Sequence, residues 1–137
     1  MSTLPQTQKP LSIQYSNATL KRAERALCCS PFKLALLVAM QNQSVPLSAI
    51  ALARGIQQGY TSTSLSEGRT QSNLMWLINV GLLRREVDGQ GITDSFRLTP
   101  LGRQLVEKWN EQGGKLPQPS WLDRLINACD RWLRLPL

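Results

Sequence analysis

The sequence predicts an α+β fold that is mostly helical and contains one small β-hairpin. The helices are predicted from apolar residues spaced three and four apart and bounded by capping residues and prolines. The hairpin is predicted from residues 82–87 and 94–98, which flank the turn sequence Asp88-Gly89-Gln90-Gly91. A chain of 137 residues has the length of one domain and can bury a core without disulfides.

Composition narrows the possible function classes. The chain carries 16 Lys and Arg against 9 Asp and Glu, and the net charge of +7 favours an anionic partner. It contains no histidine, which excludes Ser-His-Asp and Cys-His catalysis and imidazole zinc sites. Because its carboxylates are scattered and no glycine-rich phosphate loop follows a strand, we expect no enzyme, no cofactor and no metal site.

Cysteine spacing and hydropathy predict a soluble cytoplasmic protein. Cys28, Cys29 and Cys129 have no CxxC spacing and are interpreted as small apolar residues in a reducing cytosol. The longest apolar run, residues 34–40, is far shorter than the roughly 18 residues of a membrane span. The N-terminal residues have no signal-peptide character, so we also expect no membrane partner.

The first third of the chain is predicted to contain an arm and two helices. Residues 1–14 are polar, carry two prolines and are expected to be flexible, and residues 16–29 follow as a helix. Ser30 and Pro31 are the residue types of an N-cap and a first helical position, which predicts a helix over residues 32–43. Because that helix has almost no polar side, we expect it at the centre of the domain.

A short helix is predicted next, with Ser48 as its N-cap and Gly55 as its terminating glycine. In this prediction Leu47 packs on Leu52 as a hydrophobic staple. Residues 56–63 are predicted to form a loop that leads to another helix.

Ser64 and Glu67 match a capping box, which predicts a helix over about residues 65–80 with Ser64 as its N-cap. A short helix followed by a longer one is a helix-turn-helix arrangement, and the hairpin follows it directly. Trp76 projects from the outward side of this helix. Its interpretation stays open between packing on another helix and contacting a second subunit.

Two motifs frame the hairpin. Leu77-Ile-Asn-Val-Gly-Leu-Leu-Arg-Arg-Glu86 precedes it, and Phe96-Arg-Leu-Thr-Pro-Leu-Gly-Arg-Gln-Leu105 closes it. Over roughly residues 31–110 the chain resembles winged-helix regulators of the MarR and PadR type. This resemblance implies a winged helix-turn-helix with additional N- and C-terminal helices, in which residues 15–112 are a DNA-binding domain and the hairpin is a β-wing.

The resemblance implies a sequence-specific regulator of transcription that binds double-stranded DNA. Its recognition helix (about residues 65–80) would enter the major groove, and its wing (about residues 83–98) would follow the adjacent backbone. Arg reads guanine, Asn reads adenine, and hydroxyls serve bases or phosphates. The candidate DNA-binding residues are Ser64, Ser66, Arg69, Thr70, Ser72 and Asn73 on the helix, and Arg84, Arg85 and Arg97 on the wing.

The net charge of the predicted recognition helix and wing leaves a second function possible. Residues 61–100 hold four Arg against four acidic residues, so their net charge is zero. The alternative is therefore a winged-helix adaptor that binds protein within a DNA-processing or transcription assembly. For the wing arginines, the competing interpretation is a cross-strand ion pair with Glu86 or Asp94.

Thr99 and Pro100 predict the start of a helix that runs to about residue 111, and a linker over residues 113–119 follows it. A final amphipathic helix is predicted over residues 120–137, with Ser120 and Asp123 resembling a capping box, and its apolar residues form a single stripe. Such a stripe can fold back on its own domain, lie on a membrane or pair with a second subunit. We expect a homodimer because of the linker and because of the resemblance to PadR-type regulators. Its interface would hold Trp121, Leu122, Leu125, Ile126, Cys129, Trp132 and Leu133.

Overall fold

A computed structural model describes residues 14–132 and has an α+β architecture. The elements follow one another as α1 (Asn17–Cys28), α2 (Leu34–Ala39), β1 (Val45–Pro46), α3 (Leu47–Ile50), α4 (Leu52–Gln57), α5 (Glu67–Asn79), β2 (Leu83–Asp88), β3 (Gly91–Leu98), α6 (Pro100–Glu111) and α7 (Trp121–Trp132). This order confirms the prediction of a mostly helical α+β fold with a hairpin. Residues 1–13 of the predicted arm and residues 133–137 of the predicted last helix lie outside the described residues.

The sheet has three antiparallel strands in the order β1-β3-β2. Strands β2 and β3 form the predicted hairpin, and the Asp88 carboxylate accepts the Gln90 N–H at 2.7 Å within its turn. Strand β1 pairs Val45 with Phe96 along the other edge of β3. The sequence analysis missed β1, because two residues that include a proline carry no strand periodicity.

The core fills the space between the helices and one face of the sheet. Helix α1 lies against α5, and α2 lies against α6. Aliphatic side chains dominate, together with the aromatic rings of Phe32, Trp76, Phe96 and Trp109. The largest fully buried side chains include Leu27, Leu36, Leu37, Met40, Leu74, Leu77, Leu82, Leu83, Phe96 and Trp109. No helix within residues 14–132 is long and apolar enough to cross a membrane.

Helix α2 is shorter than predicted, and Ser30 is not its N-cap. The Ser30 hydroxyl instead donates to the Leu27 carbonyl oxygen at 2.7 Å, so that it closes the end of α1. Phe32 pairs with Thr61 in an isolated β-bridge, which keeps the chain extended before the helix begins. Leu34, Leu36 and Leu37 of α2 are buried, whereas Val38 is exposed, so the helix is covered on part of its surface.

The predicted short helix is divided into α3 and α4. Ala51 is extended between them, and Leu52 adopts a φ of 61°, a conformation that is unusual for a residue with a Cβ atom. The Leu52 N–H donates to the Leu65 carbonyl oxygen at 2.8 Å, which ties the start of α4 to the segment before α5. The predicted staple was wrong, because Leu52 is 50% exposed.

The helix ends around the α3–α4 segment differ from the predicted ones, whereas the start of α6 agrees. Pro46, not Ser48, precedes α3, and Gly55 lies buried inside α4 instead of ending it. Ser66, not Ser64, caps α5 by accepting the Arg69 N–H at 3.1 Å. Thr99 caps α6 as its Thr-Pro sequence indicates, by accepting the Gly102 N–H at 3.1 Å.

Candidate nucleic-acid interface

Helix α5 is the central element of the candidate interface. Its Leu74 and Leu77 face the core, while Gln71 and Met75 lie on its exposed side. Ser66 satisfies one of the orphan N–H groups of the first turn, and the remaining ones are available to an anion, as at any helix N-terminus. The helix therefore presents its N-terminal turn and a polar side to solvent.

Two arginines belong to this region and are free of ion pairs. Arg54 lies on α4 and Arg69 lies in the first turn of α5, and both are exposed. Neither forms an ion pair with another residue between 14 and 132. The sequence analysis proposed Arg69 but missed Arg54, because α4 was not recognised as a separate helix with its own exposed side.

Other predicted base-reading residues are engaged inside the protein. Thr70 is fully buried and its hydroxyl donates to the Ser66 carbonyl oxygen at 2.8 Å, so its prediction as a DNA contact was wrong. The Asn73 amide donates to the Arg69 carbonyl oxygen at 2.8 Å, and its Oδ1 accepts from Arg131 at 2.9 Å. The Ser72 hydroxyl accepts from Arg131 at 3.0 Å. The exposed Ser64 and Ser66 stay at the start of the helix.

The three wing arginines pair with acids of the same hairpin. Arg97 lies 2.9 Å from the Glu86 carboxylate, and Arg84 lies 3.7 Å from it. Arg85 lies 3.5 Å from Asp94 and above the ring of Phe96, 5.5 Å from its centroid. The pairs of Arg85 and Arg97 agree with the cross-strand interpretation, whereas the pair of Arg84 with Glu86 lies within β2.

Two exposed apolar side chains lie just before and just after the polar turn of the hairpin. Val87 and Ile92 face each other across the strands, and they are 62% and 72% exposed. The hairpin therefore carries no net charge, since its three arginines are matched by Glu86, Asp88 and Asp94, and it has an exposed apolar pair beside its turn.

Helix α7 folds back on its own domain through its polar side. Arg25 of α1 lies 3.7 Å from Asp123 and 3.8 Å from Asp130. The Trp76 indole N–H of α5 donates to Asn127 Oδ1 at 3.0 Å, which resolves the open question of what covers Trp76. No residue of α7 is fully buried.

The apolar side of α7 faces solvent. Trp121 is 76% exposed and Trp132 is 66% exposed, and Leu122, Leu125 and Cys129 are exposed beside them. Ile126 is half-buried, and Leu133 lies outside the described residues. The residues predicted for a dimer interface therefore form an uncovered face in the single chain.

Two electrostatic features fix the start and the end of α7. The Ser120 backbone N–H, 3.1 Å from the carboxylate, and the Ser120 hydroxyl hold the pKa of Asp123 below its ordinary value of 3.8. This reciprocal contact confirms the predicted Ser-Asp cap. At the other end, burial lowers the pKa of Arg131, which lies 4.4 Å above the Trp132 ring.

The cysteines near α7 have the environment of unreactive thiols. Burial raises the pKa of the Cys28 thiol to about 11, and burial also raises the pKa of the neighbouring Cys29 thiol. Both side chains are half-buried at the end of α1. At neutral pH these thiols stay protonated, as the interpretation of small apolar residues requires.

Fold and site together define an α+β protein with an exposed helix, a small antiparallel sheet and a terminal helix held by polar contacts. The chain belongs to the Npun_F0494-like family, whose model matches residues 13–131. No curated protein and no solved structure matches the chain.

Proposed function

We propose that this protein is a winged-helix regulator of transcription that binds double-stranded DNA in the cytoplasm. The observation that carries the proposal is the exposed N-terminal turn of α5 with its unpaired Arg69. The element order supports it, since the helices α3 to α5 are followed directly by the β2–β3 hairpin. The net charge of +7 favours an anionic partner as well.

The proposed mode of binding places the start of α5 in the major groove. Arg69, in the first turn of α5, reads a guanine edge. The N-terminal N–H groups of α5 and Arg54 hold backbone phosphates. The hairpin lies along the adjacent backbone and adds little positive charge, because its arginines are already paired.

Replacing Arg69 with alanine tests this mode. We expect a loss of about 1–3 kcal/mol on the preferred site and a relaxed sequence preference at one position. The matched control is Arg103→Ala, which removes the same charge from an exposed position on α6. Duplex DNA selected from random fragments is titrated over a range of salt. Equal losses in the two variants on specific and random duplexes would contradict base reading by Arg69.

A second candidate function is an adaptor that binds protein, favoured by the hairpin with no net charge and with exposed Val87 and Ile92 beside its turn. Apolar residues at an exposed strand end are suited to a protein partner and contribute nothing to phosphate binding. The salt titration separates the two functions. A regulator shows a steep negative salt slope, whereas an adaptor shows none.

We also propose that the protein is a homodimer whose interface is the exposed apolar side of α7. A stripe with two tryptophans left in water is typical of an interface, and a two-fold dimer would present two α5 helices to a palindromic site. Leu125→Asp places a charge in the middle of this side. We expect sedimentation equilibrium to show a dimer for the wild type and a monomer for the variant. A wild-type monomer would overturn the dimer.

A further inference from the structure

The contact between α7 and α5 withholds the middle of the candidate recognition helix. The Arg131 guanidinium donates to Asn73 Oδ1 at 2.9 Å and to the Ser72 hydroxyl at 3.0 Å. Asn73 and Ser72 are two of the residues that the sequence predicts to contact DNA. Trp132 stands beside the same exposed side of α5, in a groove that it lines together with Gln71 and Met75. The last turn of α7 therefore occupies the side of α5 that DNA would approach.

Size reinforces this obstruction. The major groove of B-DNA is about 12 Å wide and admits one α-helix. A helix with its side chains is about 10–12 Å across, so α5 fills the groove by itself and leaves no room for the last turn of α7 beside it. With α7 in place, only the first turn of α5 reaches a base edge.

The way α7 is held makes it detachable. An amphipathic helix ordinarily docks by its apolar side, but α7 docks by hydrogen bonds and ion pairs of partly exposed groups. Such contacts contribute modestly, because water competes for each of them. None of the side chains of α7 is fully buried, and residues 112–120 connect it to α6 without helix or strand. Few buried contacts are the mark of an element that opens locally.

We propose that α7 is an autoinhibitory clasp that competes with DNA for α5, with Arg131 as its latch. This inference rests on the proposed function. In the docked state the protein contacts DNA through the first turn of α5, and release of α7 frees the polar groups of Ser72 and Asn73 from Arg131 and lets α5 enter the groove. The clasp uses the polar side of α7, opposite to the apolar side proposed for the dimer, so the two roles can be separated by substitution.

The test compares full-length variants that differ in one contact. Arg131→Ala removes the latch, and Asn127→Ala removes the bond to Trp76 without a change of charge. Arg124→Ala is the matched control, because Arg124 is an exposed arginine of the same helix with no ion pair among residues 14–132. Affinity for a selected duplex is measured with each, beside amide hydrogen exchange of residues 121–132.

The expected result is that Arg131→Ala and Asn127→Ala bind the duplex about 3–10-fold more tightly than the wild type, since less of the protein is held in the docked state. Both should exchange the α7 amides faster, whereas Arg124→Ala should exchange them at the wild-type rate and bind slightly more weakly. DNA affinities of Arg131→Ala and Asn127→Ala at or below those of the wild type would overturn the clasp alone. Variants with a released α7 that bind no duplex at low salt would overturn the proposed function as well.

Discussion

Replacing Gly55 with alanine is expected to destabilise the domain by about 3 kcal/mol, although alanine is ordinarily the better helix former. Gly55 is buried in α4, and a Cβ atom there would overlap the carbonyl oxygen of Ile50 at the end of α3. It would also approach the Thr61 hydroxyl to 2.7 Å. Because the obstacle is backbone and not a flexible side chain, the break between α3 and α4 must shift to accommodate it.

The matched control is Gly68→Ala in α5. Nothing lies within 4 Å of the Cβ atom that this substitution adds, and the position is exposed. We expect it to stabilise the domain by up to about 1 kcal/mol, the ordinary difference in helix propensity. Urea unfolding followed by circular dichroism measures both variants. If the two alanine variants gained the same stability, the close approach of α4 to α3 would be wrong.

Local sequence signals predicted those parts of the fold that depend on neighbours in the chain. The Thr99-Pro100 helix start and the Ser120–Asp123 cap are found where the residue types place them. The division between α3 and α4 could not be predicted in this way. At this point Leu52 has an unusual positive φ, and its N–H donates a hydrogen bond to the carbonyl oxygen of Leu65, thirteen residues away. The N-cap of α5 was predicted at the wrong serine for a local reason. Ser66 has the same hydroxyl as Ser64 two residues later, and it is Ser66 that accepts the Arg69 N–H.

The position of the candidate site could be predicted from the sequence, but the contacts that its side chains make within the protein could not. Sequence periodicity placed Arg69 on the exposed part of α5, and it forms no ion pair within residues 14–132. It also placed Asn73 there, but could not show that Arg131, 58 residues further along the chain, would bind its Oδ1. Trp76 was one sequence signal that another element packs on α5, because the indole N–H of a buried tryptophan needs a hydrogen-bond acceptor. That partner, Asn127, lies on the polar side of α7.

Trp109→Ala is expected to have the largest effect on stability, a loss of about 3–5 kcal/mol. The ring of Trp109 is 1% exposed on α6 and is part of the core cluster. Its removal forfeits the burial of a large apolar surface and leaves a cavity. Trp109→Phe, which keeps most of the ring volume, should lose less and should stay folded where the alanine variant unfolds. Thermal and urea unfolding measure the difference, and a Trp109→Ala variant as stable as the wild type would contradict the burial.

Trp121→Ala is the comparison that gives this experiment a second use. Trp121 is 76% exposed on α7, so in a monomer its removal should change the free energy of unfolding by less than about 0.5 kcal/mol. A dimer that buries this ring is stabilised by mass action, so the wild-type melting temperature should rise with protein concentration. In the Trp121 variant the rise should be smaller, while both proteins should melt together at low concentration. If the wild type and Trp121→Ala had the same melting temperature at every protein concentration, the exposed side of α7 would not be covered by a second copy. The expected effect of Trp109→Ala does not depend on that outcome.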